Sequence, residues 1–135
     1  MSVFRDGAHA ADFLGGFLRE ESTKPGHFFA GSGVIIGYTL SDPALRIVMD
    51  ASVKPEPGRA FAVYVDDPKA PKPAVEFFMD ADTFDQMYRG EAQPMQLMTS
   101  GRVKSEGDVA AAMRLLPAMA AGIPHYKKYC EMHGR

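Results

Sequence analysis

The sequence predicts an α+β domain, with helices covering one face of a mainly antiparallel five-stranded sheet. Three observations predict it. Four segments alternating with period two follow one another through residues 34–80, a fifth short one lies at 102–106, and stretches of helical periodicity flank them. Strands grouped together with helices at the ends give the segregated order of an α+β domain, not the strict alternation that builds a parallel sheet.

Ala10, Phe13, Leu14, Phe17 and Leu18 fall at the i, i+3, i+4, i+7, i+8 spacing of an amphipathic helix, predicted over residues 8–22. Asp12, Arg19 and Glu20 occupy its far side, and Lys24, Pro25 and Gly26 stop it. Gly31 and Gly33 form a turn into the first strand, where Val34, Ile36, Tyr38 and Leu40 share a face. Leu45, Ile47, Met49 and Ala51 line the second strand, and the short SDPA connection favours an antiparallel hairpin. KPEPG is a loop leading to the third strand, with Phe61, Val63 and Val65 on one face. The proline-rich DDPKAPKP is an extended exposed loop before the fourth, with Val75, Phe77 and Met79 inward.

The period then changes. Asp82 or Thr83 caps a short helix carrying Phe84, Met87 and Tyr88, and Gly90 ends it. Pro94, Met95, Leu97 and Met98 make a second helical turn, and RVKSE reads as the fifth strand. Asp108 caps a last amphipathic helix carrying Val109, Ala112, Met113, Leu116, Met119 and Ala120. Pro117 predicts a kink or break near Leu116. A tail over 123–135, with Tyr126, Tyr129, Cys130 and His133, reads as one more helical segment.

At 135 residues the chain has room for a single domain, expected over 1–135 with its core at about 8–122 and an extension at 123–135. Fifteen Lys and Arg against seventeen Asp and Glu, without a basic cluster, leave no electrostatic footprint for nucleic acid. One cysteine, Cys130, excludes an internal disulfide and fits a reducing compartment. The start, MSVFRDGAHAADF, lacks the basic and apolar regions of a secretory signal, and no apolar run reaches the roughly 18 residues of a membrane span, so the expected address is the cytoplasm. Nine Met and nine Phe accompany no Trp, an enrichment that suits an irregular core or a ligand-adaptable cavity.

Catalytic and cofactor motifs are missing. AGSGVIIG has Ile36 where a dinucleotide fingerprint needs its third glycine, and it precedes a strand instead of opening a helix. His9, His27, His125 and His133 are scattered; Cys130 and His133 alone do not complete a zinc ligand set, and Cys130 lacks an evident pocket for nucleophilic work. Among Asp50, Glu76, Asp80, Asp82 and Asp85, a carboxylate raised in pKa within an apolar cavity would serve as a general base, but alternation along the strands reads Asp50, Glu76 and Asp80 as a solvated sheet face. No metal or cofactor is expected.

The stretch AVEFFMDADTFDQMYRGEAQPMQLMTSGRVKSEGDVAAAMRLLP, residues 74–117, resembles the sterol carrier protein type 2 family, the nonspecific lipid-transfer proteins. It carries, in order, the apolar strand, the short helix ending in glycine, the Gln93-Pro94 step, the methionine-rich turn, the strand from Gly101 to Lys104 and the Gly107-Asp108 opening of the last helix. The resemblance implies helices and a five-stranded sheet enclosing an apolar tunnel for fatty acyl chains, sterols or similar lipids, without catalysis. Ser105 departs from it, standing where the family generally has an aliphatic residue, and HGR replaces the terminal tripeptide that directs the animal proteins to peroxisomes. The expected ligand-binding residues are Phe77, Phe84, Met87, Met95, Met98, Val103, Ser105, Met113 and Leu116. The expected partner is a hydrophobic small molecule or lipid, with a transient membrane contact and a homodimer as open possibilities. Two alternatives stand beside the carrier: an enzyme or accessory subunit acting on a substrate in the same cavity, and an oligomerisation module using the C-terminal helix.

Overall fold

Period-two alternation decides which side chains share a face of the sheet, and strand register lines them up into rows. The computed structural model describes residues 3–24, 29, 31–53 and 57–135, so Pro25, Gly26, His27 and most of the KPEPG loop lie outside the described residues. Strands β1 (Ile35–Ser41), β2 (Leu45–Asp50), β3 (Ala62–Val65), β4 (Val75–Asp80) and β5 (Lys104–Gly107) form one sheet in the order β3-β2-β1-β4-β5. Three pairings are antiparallel, while β1 and β4 run parallel. Tyr38 faces Ile47 on one side and Phe77 on the other, and Phe77 faces Ser105, so one row of the inner face crosses four strands.

The parallel pair has a consequence on the opposite face. To enter β4 in the direction of β1, the chain leaving β3 must return along the sheet, as parallel neighbours require. Asp66, Asp67, Pro68 and Ala70 of this connection border a hollow with Val48 and Tyr64, and Val48, on the outward-alternating side, is only 1% exposed. Further along, Pro73 and Glu76 approach Gly37 so closely that a Cβ there would lie 2.7 Å from Pro73 Cγ and 2.8 Å from Glu76 Oε1. The space belongs to the Arg46–Glu76 ion pair, 2.7 Å across the outer face. Gly37→Ala is therefore expected to cost about 1–3 kcal/mol through overpacking, measured as a lower urea midpoint; an unchanged midpoint would show that Pro73 yields freely.

The solvated-face reading needs correction at Asp50. It is 6% exposed, and Oδ1 accepts hydrogen bonds from the Ser52 amide (2.8 Å) and hydroxyl (2.5 Å), so a local turn shelters it. Asp80 also has a structural task. Its Oδ1 accepts from the Thr83 amide at 2.6 Å and caps helix α2 (Ala81–Tyr88), the position expected for Asp82 or Thr83. The chain passes from β4 directly into α2, so the last strand residue is also the cap.

Helix α1 (Gly7–Glu21) is capped by Asp6, which accepts from the His9 amide at 2.8 Å. It buries Phe13, Leu14, Phe17 and Leu18 as the spacing predicts. After α2 come α3 (Pro94–Thr99), with proline at its start, and α4 (Val109–Ala118), where Asp108 accepts from the Ala111 amide. The break expected near Leu116 falls at a 3₁₀ turn, Met119–Gly122. Position 117 remains helical because proline's φ fits the helix and only one ladder bond is lost. Helix α5 (Ile123–Met132) completes the chain's regular structure and buries Tyr126, Tyr129 and Cys130. Three residues of the 123–135 segment, Tyr126, Tyr129 and Cys130, join the core: Phe17 and Tyr126 have ring centroids 4.9 Å apart, and Tyr129 donates to the Phe13 carbonyl at 2.9 Å.

Candidate functional site

Where the sheet ends, helices meet around an opening. The inner sheet face is filled, with Ile36, Tyr38, Ile47 and Phe77 all at 1% exposure or less. A pocket of about 270 Å³ lies instead between the C-terminal end of α2, the α2–α3 connection, α4, the 3₁₀ turn and the start of α5. Met87 and Tyr88 come from α2, Pro94 and Met95 from α3, Leu116 from α4, Met119 and Ala120 from the turn, and Ile123 from α5. Gly90, Ala92 and Gln93 close the connection side. Gly90 ends α2 at φ 74°, as its position in the sequence predicts, and a Cβ there would press on Ile123 at 3.2 Å.

The pocket is near the lower end of the roughly 300–1,000 Å³ usual for small-molecule sites. Three of its walls are methionines, unbranched side chains that change shape at little cost, so a longer guest can be accommodated by their movement. The described lining contains no Asp, Glu, His, Cys, Lys or Arg.

Three of the residues expected to bind ligand, Met87, Met95 and Leu116, are brought together here. Phe77, Phe84 and Val103 are buried in the core and do not line the pocket; Phe84 packs edge-on against Tyr38 at 5.2 Å and lies behind the pocket wall against Tyr88 at 4.8 Å. Met98 is partly buried against the core, Ser105 sits on edge strand β5 opposite Phe77, and Met113 is 45% exposed on the outside of α4. Tyr88 and Met119, which the spacing places on apolar helix faces, and Ile123, which opens the tail, also line the pocket. For Met119 a signal existed, since it continues the apolar face of α4 one turn beyond Leu116. Ile123 had none, because its place depends on how α5 folds back.

The anchor of α5 is Asp85. Its Oδ1 accepts from Tyr126 Oη (2.5 Å) and Arg135 Nη1 (3.0 Å), and Oδ2 accepts from Arg89 Nε (3.0 Å) and Arg135 Nη2 (3.2 Å). Arg135 also lies over the Phe4 and Phe13 rings, 5.3 and 5.0 Å from their centroids. Burial pushes the Asp85 carboxyl up, but the hydrogen bonds from Arg135 and Tyr126 and the two arginine charges outweigh it and hold it below its ordinary value. This carboxylate is ionised and fully occupied, the opposite of a poised general base. Glu21, also buried, receives Lys24 at 2.6 Å and lies 3.0 Å from His125 Nδ1.

Cys130 is buried, and burial pushes its thiol upward, which keeps it a neutral packing group. His133 Nδ1 contacts the Tyr129 carbonyl at 2.8 Å and the ring stacks near Tyr129, so both halves of the suggestive Cys130–His133 pair have structural occupations. Among the described residues no group of three or more His, Cys, Asp or Glu is placed to hold a metal ion, and no helix is long and apolar enough to cross a membrane.

A mixed five-stranded sheet covered by helices, with a largely apolar pocket among them, makes this a small α+β domain. The model of the SCP-2 sterol transfer family matches residues 15–120, and the chain belongs to that family. Membership points to lipid binding or transfer. Among solved structures the chain is similar to sterol carrier protein 2 from Yarrowia lipolytica in its apo form, at 18% identity and a TM-score of 0.61, covering 88% of this chain and 95% of that one. It is similar to sterol carrier protein domain 2 of Helicoverpa armigera at 18% identity and a TM-score of 0.64, with 85% and 89% covered. A third is sterol carrier protein 2 from Aedes aegypti in complex with palmitate, at 16% identity and a TM-score of 0.51, with 80% and 90% covered. At these identities the likeness is one of fold. No curated protein matches the sequence.

Proposed function

We propose that this protein binds and carries a hydrophobic small molecule, a fatty acyl, sterol-like or isoprenoid lipid, in the pocket between its helices, without performing chemistry on it. The observation that carries this reading is the lining itself: mostly apolar, methionine-rich and, among the described residues, without Asp, Glu, His, Cys, Lys or Arg. The palmitate bound to the Aedes aegypti protein supports it as an analogy of fold.

The physics of a carrier follows from such a lining. Each methylene removed from water contributes about 0.8 kcal/mol, and association costs at least about 4 kcal/mol. About fifteen enclosed methylenes thus leave about 8 kcal/mol, in the micromolar range, whereas ten leave only millimolar binding. Affinity is therefore set by how much chain the methionine walls can admit. In displacement of a fluorescent fatty-acyl probe by a chain-length series, affinity should rise about fourfold per methylene until the pocket is full, then level off. Affinity independent of chain length, or no bindable lipid together with no co-purifying lipid in native mass spectra, would overturn the carrier reading.

The two alternatives have less support. An enzyme in the same cavity needs an inward carboxylate without a charge partner, and Asp85, the buried carboxylate of α2, has two arginines. A docking role for the last apolar helix and the tyrosine-bearing tail needs their apolar sides outward, yet α4 buries Ala111, Ala112, Leu115 and Leu116, with Met113 exposed, and α5 buries Tyr126, Tyr129 and Cys130.

A further inference from the structure

Two stretches of the chain, residues 92–101 and 109–130, hold none of its seventeen Asp and Glu. Apart from His125, the charged side chains within them are Arg114, Lys127 and Lys128, all basic and all exposed. These stretches supply α3, α4, the 3₁₀ turn and most of α5, and with them the part of the pocket wall that meets solvent. Met87, Leu116 and Met119 are buried at the pocket, whereas Gln93, Met95 and Ala120 are exposed, so the pocket opens between α3 and the end of α4.

Apolar surface gathers at the same rim. Met95 is 42% exposed and Met113 45%, two of the five large hydrophobic side chains exposed among the described residues. Met113 follows the i, i+3, i+7 spacing with Leu116 and Ala120, both of the pocket wall, so it extends that edge by one helical turn. On α5, Lys127 stands one turn beyond Ile123 on the same side. The apolar stripe of α1 offers no comparable surface, because Phe13, Leu14, Phe17 and Leu18 are buried.

We propose that this rim is the docking surface for an anionic lipid bilayer, with Met95 and Met113 entering the interface and Arg114, Lys127 and Lys128 meeting the headgroups. The proposal rests on the carrier reading and deepens it, since it states where the guest enters: from the bilayer directly into the pocket mouth. Exposed apolar side chains flanked by Lys and Arg suit the boundary between headgroups and acyl chains. The chain's net charge of -2 repels anionic lipid on average, so attraction depends on which face is presented. The acidic residues nearest in the chain, Glu91, Asp108 and Glu131, lie just outside the two stretches and leave the rim itself free of acids.

Co-sedimentation of the whole protein with phosphatidylcholine vesicles, with and without phosphatidylglycerol, tests the surface. Binding is expected to the vesicles that contain phosphatidylglycerol, to weaken as salt is added, and to fall about thirtyfold in Arg114→Ala/Lys127→Ala, about fivefold for each cation removed. Met113→Glu should weaken it about tenfold or more, by exchanging an apolar contact for an acid at the rim. Neither variant alters a lining residue, so affinity for a fluorescent fatty-acyl probe in solution should match the wild type. Undiminished vesicle binding in both variants, or none by a wild type that takes up the probe, would overturn the docking surface and leave the carrier reading intact. Self-association that Met113→Glu abolishes, without vesicle binding, would give the rim to a second copy of the chain and overturn the bilayer as its occupant. Vesicle binding that both variants lose, in a protein that takes up no probe, would uphold the surface while removing the carrier reading.

Discussion

Asp85→Asn is expected to lower stability by about 3 kcal/mol at pH 7, and to lose most of that deficit in acid. The magnitude follows from breaking a buried ion pair by removing one partner, which leaves Arg135 and Arg89, themselves mostly buried, facing a neutral amide. The pH dependence follows from the direction of the carboxyl's shift. Burial raises the Asp85 value, but Arg135, Tyr126 and Arg89 together lower it further, so the folded pKa is below the unfolded one. A depressed carboxyl contributes stability that is fully present above the unfolded value near about 4 and disappears as pH falls through the folded value. Wild type and variant should therefore differ most at neutral pH and converge toward pH 2, where both carry an uncharged group at position 85. Urea unfolding followed by circular dichroism at several pH values reads this; a gap that persists undiminished in acid would place the cost elsewhere. Because the same carboxylate holds Tyr126 and Arg135, the variant should also loosen the seat of α5, and with it the Ile123 wall of the pocket.

Ala92→Trp should reduce lipid affinity about a hundredfold or more while the protein stays folded. Ala92 is partly buried and lies in the pocket wall, so an indole there enters space that is already open instead of displacing close-packed core. Excluding even four methylenes removes about 3 kcal/mol of binding, which is more than a hundredfold. Titration with a fluorescent fatty-acyl probe, beside a thermal melt, separates lost binding from lost structure. Unimpaired binding in a folded variant would show that the guest resides outside the helix-lined pocket.

The fold was legible because its elements are written in short-range periodicities. The row Ile36, Tyr38, Leu40 and the stripe Phe13, Leu14, Phe17, Leu18 are local facts, and both are buried as their spacing requires. The Gly90 terminator and the Asp108 cap are equally local. The Asp80 cap escaped because strand and helix share that residue, and the burial of Asp50 escaped because a turn over Ser52 shelters what alternation alone would expose. Val48 illustrates a third limit. Its burial comes from a crossover, and crossovers follow from strand direction, which periodicity does not encode.

The site divides along the same line. Met87, Met95 and Leu116 could be nominated because they lie on helices within the 74–117 stretch, while Phe77, Phe84 and Val103 share the same apolar character yet fill the interior. Burial spacing marks a side chain as inward without saying whether its neighbour is another side chain or empty space. Sequence by itself determined the α+β class, the order of elements and the family, since each is set by residues close together in the chain. Only the tertiary structure decided where the pocket lies, that Tyr126, Tyr129 and Cys130 belong to the core, and that Ile123 forms part of the pocket wall. Those depend on contacts between residues dozens of positions apart, such as Asp85 with Arg135 and Tyr38 with Met119, whose meeting no local pattern records.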